Sequence, residues 1–128
     1  MNITVVGRLD ENIVRFNTTI GEALGLWRGE KTSVPGDTYS VEFELGPAVE
    51  VGVSAVVEPT GSPSLRISGS QTVIVVLVDH VDGDGVLGLR LANDCLFLAD
   101  FIGSPPEAGS LIKVQVAARE FAIYPFLI

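Results

Sequence analysis

The chain has 128 residues, and its 16 acidic and 8 basic side chains give it a formal net charge of −8 at pH 7. That length supports one compact domain, or two very small units packed over a shared core. The acidic excess argues against nucleic-acid binding, since contact with phosphates needs clustered Lys and Arg. It suits a basic partner surface, or simply solubility.

The compartment is predicted from what the chain lacks. Cys95 is the only cysteine, so no intrachain disulfide requires an oxidising environment. No cationic, apolar leader is visible at the start, and no apolar run approaches the roughly 20 residues that span a bilayer. We therefore expect a cytoplasmic protein that binds neither membranes nor cofactors.

The fold class is predicted to be all-β, a small barrel or sandwich, because short apolar runs alternate with Gly/Pro-rich turns. The region from Thr38 to Leu45 is the clearest case, with apolar and polar residues strictly alternating. Residues 22–27 read as a short strand or a helical turn, and 86–101 as strand or helix. Strands are predicted over residues 3–9, 13–20, 38–45, 48–57, 72–81, 86–92, 111–118 and 120–126.

The organisation suggests an internal repeat. A shift of 73 positions places Val5 on Val78 and Gly36 on Gly109, and a one-residue slip then brings Leu24 onto Leu96. The pseudo-repeat halves would be 1–57 and 72–128, joined by a Pro/Gly/Ser-rich connector at 58–71. Each half has the size of a small SH3-like or OB-like barrel. The alternative is that alternating apolar patterns align by chance.

The C-terminal segment is apolar on both faces of a predicted strand. Phe121, Ile123 and Leu127 would lie on one face, with Tyr124, Phe126 and Ile128 on the other. A strand of this kind must be covered on both faces. Pro125 places it at a sheet edge, because proline cannot donate to a strand ladder. Either the other half of the chain or a second subunit covers it, and in the second case these residues form an interface.

The turn from Asp79 to Gly88 carries two weak motifs. Residues 83–88 match G-x-G-x-x-G, which binds nucleotides only when a helix begins there. The side chains of His80, Asp82 and Asp84 have part of the spacing of a calcium loop, without its other ligands. A structural hairpin turn is the simpler interpretation, so we predict no metal site here.

Two groups of residues are candidates for binding a partner. Trp27, Arg28 and Lys31 start a loop, and Trp and Arg dominate binding hot spots. Alternatively, Trp27 ends a strand and plugs the core. Glu42 and Glu44 share the polar face of one strand, where they could meet a basic partner or merely face water.

Three functions remain open. The first is a non-enzymatic, acidic protein-binding module, at its sharpest an inhibitor or immunity-type protein that covers a basic partner. The second is a structural homo-oligomer assembled through the C-terminal strand. The third is a small-ligand or nucleotide-binding protein that uses the turn from Asp79 to Gly88. No nucleophile–base signature is present, so we expect no enzymatic activity.

Overall fold

The computed structural model describes residues 1–126, so Leu127 and Ile128, the last two residues of the predicted C-terminal pattern, lie outside the described residues. The prediction of an all-β small barrel is confirmed. The strands are β1 (Asn2–Arg8), β2 (Ile13–Thr18), β3 (Gly21–Trp27), β4 (Thr38–Leu45), β5 (Ala55–Glu58), β6 (Ser64–Ser68), β7 (Gln71–Val81), β8 (Val86–Ala92), β9 (Cys95–Asp100), β10 (Leu111–Ala117) and β11 (Phe121–Pro125). A 3₁₀ turn, η1 (Ala118–Glu120), precedes β11. Across residues 1–126, no helix has the length and apolarity to cross a membrane.

The structure settles both segments that the sequence left open, and it shortens one predicted strand. Residues 21–27 and 95–100 are strands β3 and β9. The prediction of a strand over 48–57 is wrong for most of its length, since only Ala55–Glu58 forms a strand, and Val49 and Val51 make single bridges. Glu50 instead accepts backbone hydrogen bonds from Val53 and Ser54, at 3.0 and 2.9 Å. Gly52, with φ +88°, allows this tight turn.

Five strands form a closed barrel: β1, β2, β3, β4 and β11. The last strand closes it, because β11 runs antiparallel to β4 and parallel to β3. The prediction of an edge position for β11 is therefore wrong. Pro125 lies at the end of the strand, opposite Val41, while the pairing with β3 uses Ala122 and Ile123. The missing N–H of the proline thus falls outside the β3 ladder.

The remaining strands continue the sheet of this barrel around β7. That strand pairs with β8 and β10, and β9 follows β8 in an antiparallel meander. The two halves exchange strands, since β5 pairs with β10 while β11 pairs with β4. Strand β6, from the connector, pairs with β7 and bridges to β3 at Gly21.

The backbone geometry of β1–β2 corresponds to that of β7–β8 at a distance of 73 residues. Both strand pairs have a register shift at the same place, and each cross-strand pair of β1–β2 has a counterpart in β7–β8. The corresponding pairs are Thr4↔Asn17 and Leu77↔Arg90, Val5↔Phe16 and Val78↔Leu89, Gly7↔Arg15 and His80↔Gly88, and Arg8↔Val14 and Val81↔Leu87. Gly36 and Gly109 also correspond, with φ of +93° and +90°. The Gly36 N–H donates to the Val5 carbonyl of β1, and the Gly109 N–H donates to the Val78 carbonyl of β7, both at 2.7 Å. That the halves are copies of one unit stays a prediction.

Strand β3 corresponds to β9 at 74 residues. Val14 pairs with Gly25, and Leu87 pairs with Ala99. The equivalent of Leu24 is therefore Leu98, so the one-residue slip assumed from the sequence had the wrong direction. The β8–β9 pairing has a register shift between Arg90 and Ala92, and this shift accounts for the added residue.

Aromatic side chains join the two halves in one core. The rings of Phe43 and Phe121 stack with centroids 4.7 Å apart, and Phe97 of β9 lies 6.5 Å from Phe121. Phe16 extends this stack, 5.8 Å from Phe43. Because each buried side chain of this size contributes roughly 1.5–3 kcal/mol, the exchanged strand β11 is a main source of cohesion.

Candidate functional site

The outward sides of β4 and β9 form a surface that is both acidic and apolar. In each strand alternate residues point into the core, so Phe43 and Phe97 are buried while Glu44 and Leu98 face outward. A groove of about 310 Å³ separates the strands. We call it the Leu98 groove, and it is lined by Glu44, Leu45, Gly46, Val86, Leu98, Ala99 and Asp100.

Leu98, in the middle of β9, is 58% exposed. Leu96, on the same side of β9, is exposed as well. Glu42 of β4 lies near the start of β9, close enough for its charge to act on the thiol of Cys95. Isolated exposed leucines are ordinary, but neighbouring ones rimmed by charges are typical of interaction sites.

The carboxylates at this surface have no ion-pair partner within residues 1–126, since none of the pairs there includes Glu42, Glu44 or Asp100. Four of the eight basic side chains pair elsewhere, as Arg15–Glu22, Arg90–Asp79, Lys113–Glu58 and Arg119–Asp10. Arg28 is closer to this region. A hydrogen bond with Tyr124 is the main cause that raises the pKa of Arg28, and the charge of Glu44 adds a smaller effect.

Trp27 lies in the barrel core, as the simpler of the two interpretations expected. It is buried, its Nε1 donates a 2.8 Å hydrogen bond to the Lys31 carbonyl, and its ring packs edge-on against Tyr39 at 4.8 Å. Arg28 and Lys31 are exposed. An open cleft of about 350 Å³ lies beside Trp27 and Phe126. A partner there would meet loop side chains and only the edge of the indole.

The turn between Asp79 and Gly88 is a β-hairpin turn. The Asp79 carboxylate accepts hydrogen bonds from Arg90 Nε at 2.9 Å and interacts with His80 Nδ1 at 3.0 Å. The contact with His80, followed by that with Arg90, lowers the pKa of Asp79. The ring of His80 lies against the backbone of Gly88.

Neither motif in this turn acquires the geometry it needs. Strand β8 begins at Val86, where the nucleotide fingerprint requires a helix, so no helical N-terminus faces a phosphate. Asp82 lies 3.8 Å from His80, and Asp84 is exposed. Within residues 1–126, no group of three or more His, Cys, Asp or Glu side chains is arranged to hold a metal ion.

The four proposed interface residues of the C-terminal segment divide into two pairs. Phe121 and Ile123 are fully buried between β3 and β4, so they contact the chain itself. Tyr124 is half-buried and Phe126 is exposed. Only this second pair is accessible to another molecule.

Leu96, Leu98 and Asp100 were not predicted as site residues from the sequence. A signal existed, because residues 95–100 are apolar at outward as well as inward positions, the same pattern that drew attention to β11. Which of two such strands is covered depends on neighbours remote in the sequence.

No protein-family model, curated protein or solved structure matches this chain significantly. Its function therefore has to be argued from its own geometry and chemistry.

Proposed function

We propose that this protein is a non-enzymatic, acidic protein-binding module of the cytoplasm, at its sharpest an inhibitor or immunity-type protein that covers a basic partner. The observation that carries this proposal is the Leu98 groove. This groove is lined by an exposed leucine and by Glu44 and Asp100, neither of which is in an ion pair within residues 1–126.

This arrangement has the two components of a protein interface. An apolar centre contributes affinity when water is removed from it, and polar groups around it set orientation. Carboxylates without an ion-pair partner also speed encounter with a basic partner. Glu42 extends the acidic rim along β4, and Leu96 extends the apolar centre along β9.

The reactive side chains support a role without catalysis. His80 interacts with Asp79, and its ring packs on Gly88. Burial raises the pKa of the Cys95 thiol to about 11, so it is a poor nucleophile at neutral pH. Neither residue lines the Leu98 groove.

The experiment is a salt series. The immobilised protein is exposed to cell extract at low ionic strength, and bound proteins are released by increasing NaCl, identified, purified and tested again by calorimetry. We expect a basic partner whose affinity falls with salt and falls further when Glu42 and Glu44 are changed to Gln. A partner whose affinity is unaffected by both changes would contradict the proposal, and a melting shift caused by a small molecule would favour the ligand-binding alternative.

A second candidate, the structural homo-oligomer, is favoured by a different strand from the one predicted. Among the strands of residues 1–126, β5 pairs only with β10. Its other edge carries one bridge, from Ala55 to Val51, and Val56 and Val57 beyond that bridge are exposed. An unpaired apolar edge is a template for joining another strand. If copies associate here, the mass measured by light scattering rises with concentration in the parent. At the same concentration, the mass of Val56→Lys is lower than that of the parent. The matched control is Val6→Lys, since Val6 is 46% and Val56 47% exposed.

A further inference from the structure

The molecule contains a second groove in the position equivalent to the Leu98 groove. This Leu24 groove has a volume of about 270 Å³ and is lined by Leu9, Asp10, Ile13, Leu24, Ser70, Ala117, Ala118 and Arg119. Its Ile13 corresponds to Val86 and its Leu24 to Leu98, by the strand registers of the two halves. Leu24 and Leu98 thus occupy equivalent backbone positions, and the residues around them can be compared.

The chain covers one of these leucines and leaves the other bare. Leu24 is 3% exposed, whereas Leu98 is 58% exposed. Leu24 packs with Ala118 of η1, and Ile67 of the connector strand β6 packs against the same cluster. Within residues 1–126, β9 has less cover. The position equivalent to Ala118 is Leu45, which lines the Leu98 groove but leaves Leu98 exposed, and among these residues no strand follows β11 as β6 follows β5.

The two grooves also differ in charge, since among residues 1–126 only the Leu24 groove has a cation that pairs with its carboxylate. In the Leu24 groove, Asp10 is neutralised by Arg119 at 3.0 Å. The position equivalent to Arg119 is Gly46, which brings no cation to the Leu98 groove. The carboxylates of Glu44 and Asp100 therefore flank an apolar surface without the positive charge that its counterpart possesses.

We propose that the Leu98 groove is the docking site for an extended segment of a basic partner protein. An apolar side chain of that segment packs on Leu98, as Ile67 covers the cluster of Leu24, and Lys or Arg side chains on either side pair with Glu44 and Asp100. This inference rests on the proposed function and specifies the part of the partner that is bound. We expect the bound segment to be extended because Ile67, which packs against the cluster of Leu24 in the equivalent groove, belongs to a strand, β6.

The test uses two acetylated, amidated peptides, one of alternating lysine and isoleucine and one of alternating lysine and serine. Binding to the full chain is followed by amide chemical shifts at low salt. The isoleucine peptide is expected to bind more tightly and to shift amides of β4 and β9. Leu98→Ser should weaken it by roughly ten-fold. Leu9→Ser, at a leucine equally exposed at 58% that lines the Leu24 groove, should leave binding unchanged.

Charge is tested with two double variants of equal net charge. Glu44→Gln with Asp100→Asn should weaken binding and reduce its salt dependence, while Glu11→Gln with Glu107→Gln should not. If both pairs weaken binding equally, or if both peptides bind alike, the docking site is overturned although the acidic binding module stands. If neither peptide binds the parent at millimolar concentration and low salt, the docking proposal fails, and the proposed function fails with it if the extract yields no basic partner.

Discussion

The hydroxyl of Thr72 makes two hydrogen bonds to the backbone of Leu24: it accepts from the Leu24 N–H at 2.9 Å and donates to the Leu24 carbonyl at 2.8 Å. Both residues are buried and lie 48 positions apart. Leu24 lies on β3, and Thr72 lies at the start of β7. One side chain of the second half therefore satisfies both the N–H and the C=O of Leu24 in the first half.

Thr72→Val should destabilise the protein strongly. Valine has the same shape but leaves the N–H and C=O of Leu24 without partners, at a cost of roughly 1–3 kcal/mol for each buried group. Urea unfolding measures the change. Thr72→Ser keeps the hydroxyl and should retain most of the stability, so equal losses in both variants would contradict this role of the hydroxyl.

Gly21→Ala should also destabilise the protein. Gly21 has φ +133°, and a Cβ there would collide with the backbone carbonyl of Leu65, which cannot move independently of β6. We expect a loss of at least about 1–3 kcal/mol, measured by thermal and urea unfolding. Gly7→Ala is the control, since a Cβ at Gly7 meets nothing within 4 Å. A stable Gly21→Ala variant would mean that β6 does not hold its position against β3.

Asp10 should make folding sensitive to acid. Hydrogen bonds from the N–H groups of Asn12 and Ile13, at 2.9 and 3.0 Å, are the main cause that lowers its pKa below the ordinary value of 3.8, with a smaller effect from Arg119. Because the folded state holds the charged form, this contribution is present above pH 3.8 and disappears as the pH falls through the lowered value.

Two measurements check this expectation. The carboxyl carbon of Asp10 should titrate below pH 3.8 in the folded protein. Asp10→Asn should lose stability near neutral pH, and its difference from the parent should shrink in acid. Glu11→Gln, which removes the neighbouring carboxylate, provides the control for the change in net charge. A midpoint for Asp10 at or above its ordinary value would contradict the geometry of this turn.

Cys95 should resist thiol reagents while the protein is folded. Burial is the main cause that raises its pKa to about 11 from 9.0. The thiolate fraction at neutral pH is then about a hundred-fold smaller. Reaction with a disulfide reagent should accelerate sharply when urea unfolds the chain. Rapid modification under native conditions, with the fold retained, would contradict the burial of this side chain.

The strands could be predicted from the sequence because their burial follows a period of two residues. Residues 38–45 alternate without exception, and the predicted bounds of β4 are the observed ones. The hairpin turn between Asp79 and Gly88 was predicted as well, because clustered Gly and Asp residues favour a tight turn. The prediction of a strand over 48–57 failed because the alternating valines there resemble a strand, whereas the chain forms a turn that depends on Gly52.

The candidate site was only half predictable. Glu42 and Glu44 were identified because acidic residues on one face of a strand are visible in any alternating pattern. Leu98 was not identified, since Leu24 and Leu98 occupy equivalent places in similar strands. One is covered by Ala118 and Ile67, which come from distant parts of the chain, and the other is not.

The sequence by itself determined the all-β class, the acidic charge and the inward face of most strands, since side-chain alternation is a local property of each strand. Only the tertiary structure decided that β5 and β11 are exchanged between the halves and that β9 keeps a bare outer face. The physical reason is that backbone hydrogen bonds are the same for every residue apart from proline, so alternation fixes which side of a strand is buried but not which strand lies beside it.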